Sequence, residues 1–107
     1  MSKYRIKQIG DEYFPQVKFL FCFWENIKLK TSELRYWYYK LMNEIRYKDT
    51  ARVDIYKDSW GVTTRHEPKF TTLDSAKDFI FDYKNYLAQK YIESHPKIKT
   101  KIYKIKD

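Results

Sequence analysis

The stretch that decides the fold is SELRYWYYKLMNEIRYK, residues 32–48, because the period of the sequence changes there. Its apolar residues recur at intervals of three and four, the spacing of one face of an α-helix. They are Leu34, Trp37, Tyr38, Leu41, Met42 and Ile45. A strand over Tyr36 to Tyr39 is the alternative, because aromatic side chains favour sheets. Six positions on one helical face outweigh four favourable propensities, so we predict a helix from about Ser32 to Lys48.

The residues before this helix alternate with a period of two, which is typical of strands. Tyr4 to Ile9 and Tyr13 to Trp24 form two such runs, and Gly10-Asp11-Glu12 between them has turn chemistry. We therefore predict a hairpin. The second run becomes apolar on both faces towards its end, so that end is expected to be covered and Cys22 to be a buried small hydrophobe. Pro15 needs an edge or a bulge, because it lacks an amide donor.

The residues after the helix predict a second hairpin and a second helix. Arg52 to Lys57 and Val62 to Arg65 flank a turn at residues 58–61, and Thr71 with Asp74 resembles a helix cap. The helix is expected to end after His95, before Pro96. Its predicted buried stripe is Leu73, Ala76, Ile80, Tyr83, Leu87 and Tyr91. We predict one α+β domain over residues 1–95 in the order ββαββα, followed by a basic tail or edge strand over residues 96–107.

Composition narrows the class of protein. The chain has 107 residues, 20% of them aromatic, and 22 Lys and Arg against 14 Asp and Glu give a net charge of +8. No apolar run approaches the roughly 18 residues that span a bilayer, and no secretory signal is visible. The single cysteine excludes an intrachain disulfide and multi-cysteine metal sites. We therefore expect a cytoplasmic protein that does not associate with membranes.

Charge is unevenly distributed over the two predicted helices. The outer face of the first is basic and aromatic, a composition that can contact phosphates and stack on unpaired bases. Its candidate binding residues are Arg35, Tyr36, Tyr39, Lys40, Arg46 and Tyr47. The tail adds Lys97, Lys99, Lys101 and Lys104. An ordinary solvated face with half-buried tyrosines is the alternative interpretation.

The outer face of the second helix is acidic and could dock on a basic protein, or could simply be solvated. Its polar residues are Asp74, Asp78, Asp82, Asn85, Gln89 and Glu93.

Catalytic patterns are sparse. Asp58, Glu67 and Lys69 resemble the spacing of metal-dependent nucleases, but Pro68 lies where a strand should present two of these side chains. His66 and His95 alone do not specify zinc, and the two glycines form no phosphate-binding loop. We expect no catalytic residue, no metal site, no cofactor and no enzymatic activity.

Four stretches carry a resemblance: Tyr4 to Ile6, YFPQ at 13–16, FCFW at 21–24 and FTTLDSAKDFI at 70–80. They resemble small orphan proteins encoded by bacteriophages and mobile elements. The resemblance covers about half the chain. It implies a context in which short proteins inhibit host defence, as anti-CRISPR proteins do, and it carries no site residue.

These observations together predict a non-enzymatic, phage-type inhibitor. It would bind a nucleic acid, RNA rather than duplex DNA, or a bacterial nucleoprotein complex, through the basic and aromatic face of the first helix. A protein–protein inhibitor or accessory protein that uses the acidic second helix is the alternative. A small metal-dependent nuclease is the third.

Overall fold

The computed structural model describes residues 3–61 and 64–94, and these form a single α+β domain. Its strands are β1 (Tyr4–Ile9), β2 (Glu12–Phe19), β3 (Phe23–Asn26), β4 (Ala51–Lys57) and β5 (Thr64–Phe70). Its helices are a short 3₁₀ turn (Thr31–Glu33), α1 (Leu34–Asn43) and α2 (Leu73–Ser94). The predicted α+β class is confirmed, and the predicted element order is extended by one strand. The predicted tail, 96–107, lies outside the described residues.

The five strands form one antiparallel sheet that branches at β2. Its main order is β1-β2-β5-β4, and β3 also pairs with β2. One edge of β2 pairs with β1, and the other is shared between β5, through Tyr13↔Phe70, and β3, from Gln16 onward. Pro15 lies between these two partners, and its carbonyl accepts from the Ile27 amide at 2.9 Å. A residue without an amide donor fits this branch point.

The predicted long strand from Tyr13 to Trp24 is wrong, because it is two strands. The chain reverses at residues 20–22, where Leu20 has φ 58, and β3 returns along β2. The expected cover is also absent within the described chain, since Phe21 is 92% exposed and Cys22 is exposed. Alternation of apolar residues is the same in one continuous strand and in a hairpin whose turn is apolar, so it cannot distinguish the two. The usual signal is missing because leucine, not glycine, adopts the left-handed turn conformation.

Helix α1 is shorter than its predicted range, because it ends at Asn43 rather than near Lys48. The Asn43 side-chain amide donates to the Tyr39 carbonyl at 2.8 Å, and Glu44 is extended with ψ 139. Asp49 then takes a left-handed conformation with φ 68, so residues 44–50 turn back towards the sheet. The Asn43 side chain thus competes for a helical carbonyl at the last residue of α1, a local contact that accompanies the end of the helix.

Helix α2 is correctly predicted in place and length, but its cap and stripe are displaced. Thr72 caps it, rather than Thr71, by accepting from the Ser75 amide at 3.2 Å. Phe79, which the predicted stripe omitted, is fully buried, whereas Leu73 and Tyr91 are 41% and 55% exposed. The buried face therefore runs through 76, 79, 83 and 86, again at intervals of three and four.

The core is aromatic and lies between the helices and one face of the sheet. Trp37 of α1 lies 5.2 Å from Phe79 of α2 between ring centroids, and Phe79 lies 5.3 Å from Phe70 of β5. All these rings are fully buried. The strand residues that join this core alternate along each strand, from Tyr4 and Ile6 to Val53. Both helices therefore pack on one face of the sheet, which we call the helix side.

Candidate nucleic-acid interface

The sequence places the candidate site on α1, and part of it lies at the surface as predicted. Arg35 is exposed, and Tyr39 is 72% exposed. The Tyr36 ring stacks on Tyr86 of α2 with 4.7 Å between centroids and remains 45% exposed. A cleft of about 450 Å³ lies along this surface between Arg35 and Glu44. These side chains keep a basic and aromatic surface at the start of α1.

Tyr47, in contrast, is wrongly placed on the outer face by the helical pattern. It is fully buried, its ring lies 5.9 Å from Phe70, and its hydroxyl donates to Asp82 at 2.5 Å. Burial first, and then the hydrogen bond to Asp82, raise the pKa of Tyr47. The physical reason for the error is the early end of α1, because residues 44–50 return to the sheet and carry this ring inward.

Arg46 also loses its predicted role as a free cation, because two carboxylates hold it. Its guanidinium donates to Glu44 at 3.1 Å and to Asp82 of α2. Lys40 follows the same pattern, with Glu44 at 2.8 Å and Asp82 at 3.8 Å. Burial lowers the pKa of Lys40, but these partners outweigh it and the net shift is upward. The positive charges of Lys40 and Arg46 are therefore neutralised by carboxylates of the same domain.

Asp82 is correspondingly withdrawn from the predicted acidic face of α2. Its side chain is only 10% exposed, since it lies between the two helices and accepts from Tyr47 and Arg46. The predicted acidic outer face of α2 therefore lacks Asp82. A cleft of about 510 Å³ beside it is lined by both signs of charge, including Lys40, Lys90 and Glu93. The faces that the sequence treats as separate meet each other across this cleft.

The four predicted tail residues, Lys97, Lys99, Lys101 and Lys104, lie outside the described residues.

A second basic surface, which sequence reasoning missed, is the face of the sheet opposite the helices. We call it the open face, because no element of the described chain packs on it. Strand register places alternate residues of all five strands on this face. They are Arg5, Lys7, Ile9, Glu12, Phe14, Gln16, Lys18, Trp24, Asn26, Arg52, Asp54, Tyr56, Arg65, Glu67 and Lys69.

The centre of the open face is a chain of hydrogen bonds across four strands. Arg5 donates to Gln16 at 2.8 Å, Gln16 donates to Asn26 at 2.8 Å, and Asn26 donates to Glu67 at 3.2 Å. Arg65 closes the chain on Glu67 at 3.3 Å. Gln16 and Glu67 are buried, yet their polar groups are satisfied by these bonds. The network fixes the side chains of this surface in defined positions.

The carboxylates of the open face are shared by only two of its cations. Lys69 binds Glu12 at 2.8 Å and Asp54 at 3.1 Å, and Glu67 binds Arg65. The hydrogen bond to Glu12 is the largest effect on Lys69 and raises its pKa. Four cations are left with no carboxylate partner within residues 3–61 and 64–94. These are Arg5, Lys7, Lys18 and Arg52.

Aromatic rings lie beside three of the four unpaired cations. The Arg5 guanidinium lies over the Trp24 ring at 4.4 Å from its centroid, and the Lys18 ammonium lies at 5.7 Å from the same ring. Phe14 is directly opposite Lys7 across the β1–β2 pair. A guanidinium stacked on an indole forms a flat surface that carries a positive charge. This combination is suited to phosphates and to the faces of unpaired bases.

The nuclease pattern is not assembled. Glu67 and Lys69 lie on β5, opposite Asp54 and Arg52 of β4, whereas Asp58 lies in the turn beyond the end of β4. No group of three metal-binding side chains occurs within the described ranges. His66 hydrogen-bonds the Tyr38 hydroxyl at 3.2 Å on the helix side. The carboxylates near Lys69 therefore hold that ammonium in place of a cation from solution.

No helix in the described parts of the chain has the length and hydropathy needed to cross a bilayer.

Comparisons of this chain with protein-family models, with curated proteins and with solved structures give no match.

The signal for the open face is present in the sequence, in the alternate positions of the strands. Arg5 and Lys7 alternate with Tyr4 and Ile6, and Lys18 and Trp24 lie on one side of the apolar run that follows. A single strand covered on both faces would leave Lys18 and Trp24 without an exposed face, and for this reason the pattern alone does not predict the surface. Once β2 and β3 are paired as a hairpin, Lys18 falls opposite Trp24 and both fall beside Arg5.

Proposed function

We propose that this protein is a non-enzymatic binder of single-stranded nucleic acid, with RNA preferred over DNA. The open face of the sheet is its binding surface. The observation that carries the proposal is the Arg5–Trp24 stack, at 4.4 Å, with Lys18 at the same ring and the unpaired cations Lys7 and Arg52 on the same face. A sheet face with exposed cations and rings is an established way to hold unpaired nucleotides. Duplex phosphates alone would leave the aromatic part of the surface unused.

The mechanism is occupancy. Arg5, Lys7, Lys18 and Arg52 lie on β1, β2 and β4, so they span a sheet about 14 Å wide at the usual strand spacing. Phosphates release counterions when these cations bind them, and bases lie against the rings between them. No bond is made or broken, so binding blocks whatever else would occupy the same nucleotides.

The helix surface around Arg35, Tyr36 and Tyr39 is the second candidate for the same activity. It lies on the opposite side of the sheet, because both helices pack on the helix side. One short strand of nucleic acid therefore does not contact both surfaces in a single straight path. Lys40 and Arg46 beside it are neutralised by Glu44 and Asp82, which favours the open face.

The cellular role we propose is inhibition of a bacterial protein–RNA complex in the cytoplasm, as an anti-CRISPR protein does. The net charge of +8 and the resemblance to bacteriophage proteins support it. The complex would be blocked where it displays single-stranded RNA. Expression in a host with an active nucleic-acid-guided defence should restore phage plating, and the open-face variant Arg5→Glu with Lys7→Glu should not.

The test is a binding titration by fluorescence anisotropy with a labelled single-stranded RNA over a salt series. Four phosphate contacts predict a slope of log K against log salt of about −3 for a single strand. Arg5→Glu with Lys7→Glu should halve that slope, and at 0.1 M salt should weaken binding at least 25-fold, from roughly fivefold for each contact. A slope near zero in the wild type would contradict the proposal.

The matched control is Arg35→Glu with Lys48→Glu, because it makes the same change of charge on the helix side with two exposed residues. It should leave the salt slope unchanged. If the control abolishes binding and the open-face variant does not, α1 is the binding surface and the open face is not.

A further inference from the structure

The tip of the β2–β3 hairpin is an exposed cluster of apolar side chains that the sheet does not use. We call it the hairpin tip and define it as residues 19–23. Phe19, Leu20, Phe21 and Phe23 are 49%, 67%, 92% and 60% exposed. Nothing in the described residues covers them. Exposed apolar patches of this size on a small domain mark contact sites.

The hairpin tip is continuous with the open face. Lys18 of β2 and Trp24 of β3 form the last pair on the open face before the turn at residues 20–22, since the Phe19↔Phe23 pair beyond them projects to the other side of the hairpin. Trp24 in turn carries the Arg5 guanidinium on its ring. Phe21 extends beyond this pair of strands at the apex of the turn. A nucleotide chain that follows the unpaired cations of β1 and β2 therefore arrives at the ring of Phe21.

We infer that the hairpin tip is a base-stacking site, in which Phe21 stacks on an unpaired base whose phosphate is held by Lys18 or Arg5. The inference rests on the proposed function and adds its ligand class, namely unpaired bases rather than phosphates alone. Stacking is available to every base, since each has a π face, so the site selects single strands without selecting sequence.

Area and charge disfavour a second copy of the chain as the occupant. At about 200 Å² for each large apolar side chain, the exposed fractions of the three phenylalanines and Leu20 amount to roughly 500 Å² per copy. A stable interface buries about 800 Å² from each partner. A tip-to-tip dimer would also bring Lys18 and Arg5 of both copies together, without a carboxylate partner for either in the described chain. An anionic ligand removes this repulsion, and a nucleic acid supplies both the charge and the rings.

The experiment compares two ligands that carry the same phosphates, a labelled U12 oligonucleotide and an abasic 12-mer. Wild-type protein should bind U12 about tenfold or more tightly than the abasic strand. Phe21→Ser should reduce U12 affinity by about five- to tenfold, the lower end of the range for one stacked base, and leave abasic affinity and the salt slope unchanged. Phe21→Tyr should restore U12 affinity.

Trp60→Ser is the matched control, because Trp60 is an 85% exposed aromatic residue at the tip of the other hairpin. It should bind U12 as the wild type does. Equal binding of U12 and the abasic strand by the wild type would overturn base stacking while the phosphate-binding function stands. Failure to bind either strand at 50 mM salt would overturn both. Loss of a dimer or of binding to phosphatidylglycerol vesicles in Phe21→Ser, with U12 affinity unchanged, would assign the hairpin tip to that partner and overturn the inference.

Discussion

Replacement of Tyr47 by phenylalanine tests the position of residues 44–50, where the helical pattern predicts an exposed Tyr47 and the structure buries it. The ring is fully buried, and its hydroxyl donates to the Asp82 carboxylate at 2.5 Å. A buried hydrogen bond to a charged group contributes about 1.5–3 kcal/mol. Asp82 keeps Arg46 and Lys40 as partners, so the carboxylate is not left unpaired in the variant. We expect Tyr47→Phe to lower the free energy of unfolding by about 1.5–3 kcal/mol.

The assay is urea unfolding followed by circular dichroism, with thermal unfolding beside it. For a domain of this size the expected loss corresponds to a Tm lower by roughly 10 °C. Tyr39→Phe is the control, because Tyr39 is 72% exposed and the same hydroxyl deletion there should stay within about 0.5 kcal/mol. If α1 continued to Lys48 with Tyr47 in water, the two variants would be equally stable. Equal stability would refute the account of residues 44–50.

A double-mutant cycle with Asp82→Asn isolates the contact itself. Each single variant weakens the same hydrogen bond, so the double variant should be more stable than the sum of the two losses predicts. The expected coupling is about 1 kcal/mol or more, within the range for residues in one network. Additive losses would mean that Tyr47 and Asp82 do not interact, whatever each contributes separately.

Three further outcomes follow from other contacts. Cys22 is exposed in the hairpin turn, so native protein should react with a thiol reagent such as DTNB as fast as unfolded protein does, and protection until denaturant is added would contradict the β2–β3 hairpin. Thr72→Ala should cost about 1 kcal/mol by loss of the helix cap, whereas Thr71→Ala should cost less than half of that in the same unfolding assay. Burial is the largest effect on Tyr83 and raises its pKa from 10.0 to about 12, so its contribution to stability is complete below pH 10 and is lost as pH rises towards 12. Tyr83→Phe should flatten that alkaline loss, and an unchanged pH profile of unfolding would contradict it.

The sequence predicts local structure well wherever one period persists between clear ends. The stretch around Trp37 and Leu41 is helical as its spacing indicates, and both residues are buried. The limits of that helix are less well determined, because the apolar spacing continues through Ile45 while the backbone does not. Tertiary contacts decide the matter, since Tyr47 gains a buried environment and a partner on α2 only if the helix stops early. No local signal encodes that partner, which lies 35 residues away.

For the candidate site, too, the sequence predicts the local features, and it does not predict the contacts between elements. The chemical type of the α1 surface follows from residues such as Arg35 and Tyr39, which are exposed as their helical positions indicate. Its electrostatics depend on which carboxylates face it, and a helical wheel drawn for each helix alone cannot show that Asp82 of α2 closes on Arg46.

The sheet explains why charge remains available elsewhere. Both helices pack on the same face of the five-stranded sheet, so hydrophobic packing covers that face. The side chains of the opposite face have no element of the described chain packed against them. That open face needs long polar residues, and its three carboxylates are held by Lys69 and Arg65. The cations that remain are a consequence of strand register, since a shift by one residue would move Arg5 and Lys18 into the core. The register that packs Tyr4 and Val17 against the core therefore also creates the surface that we propose binds nucleic acid.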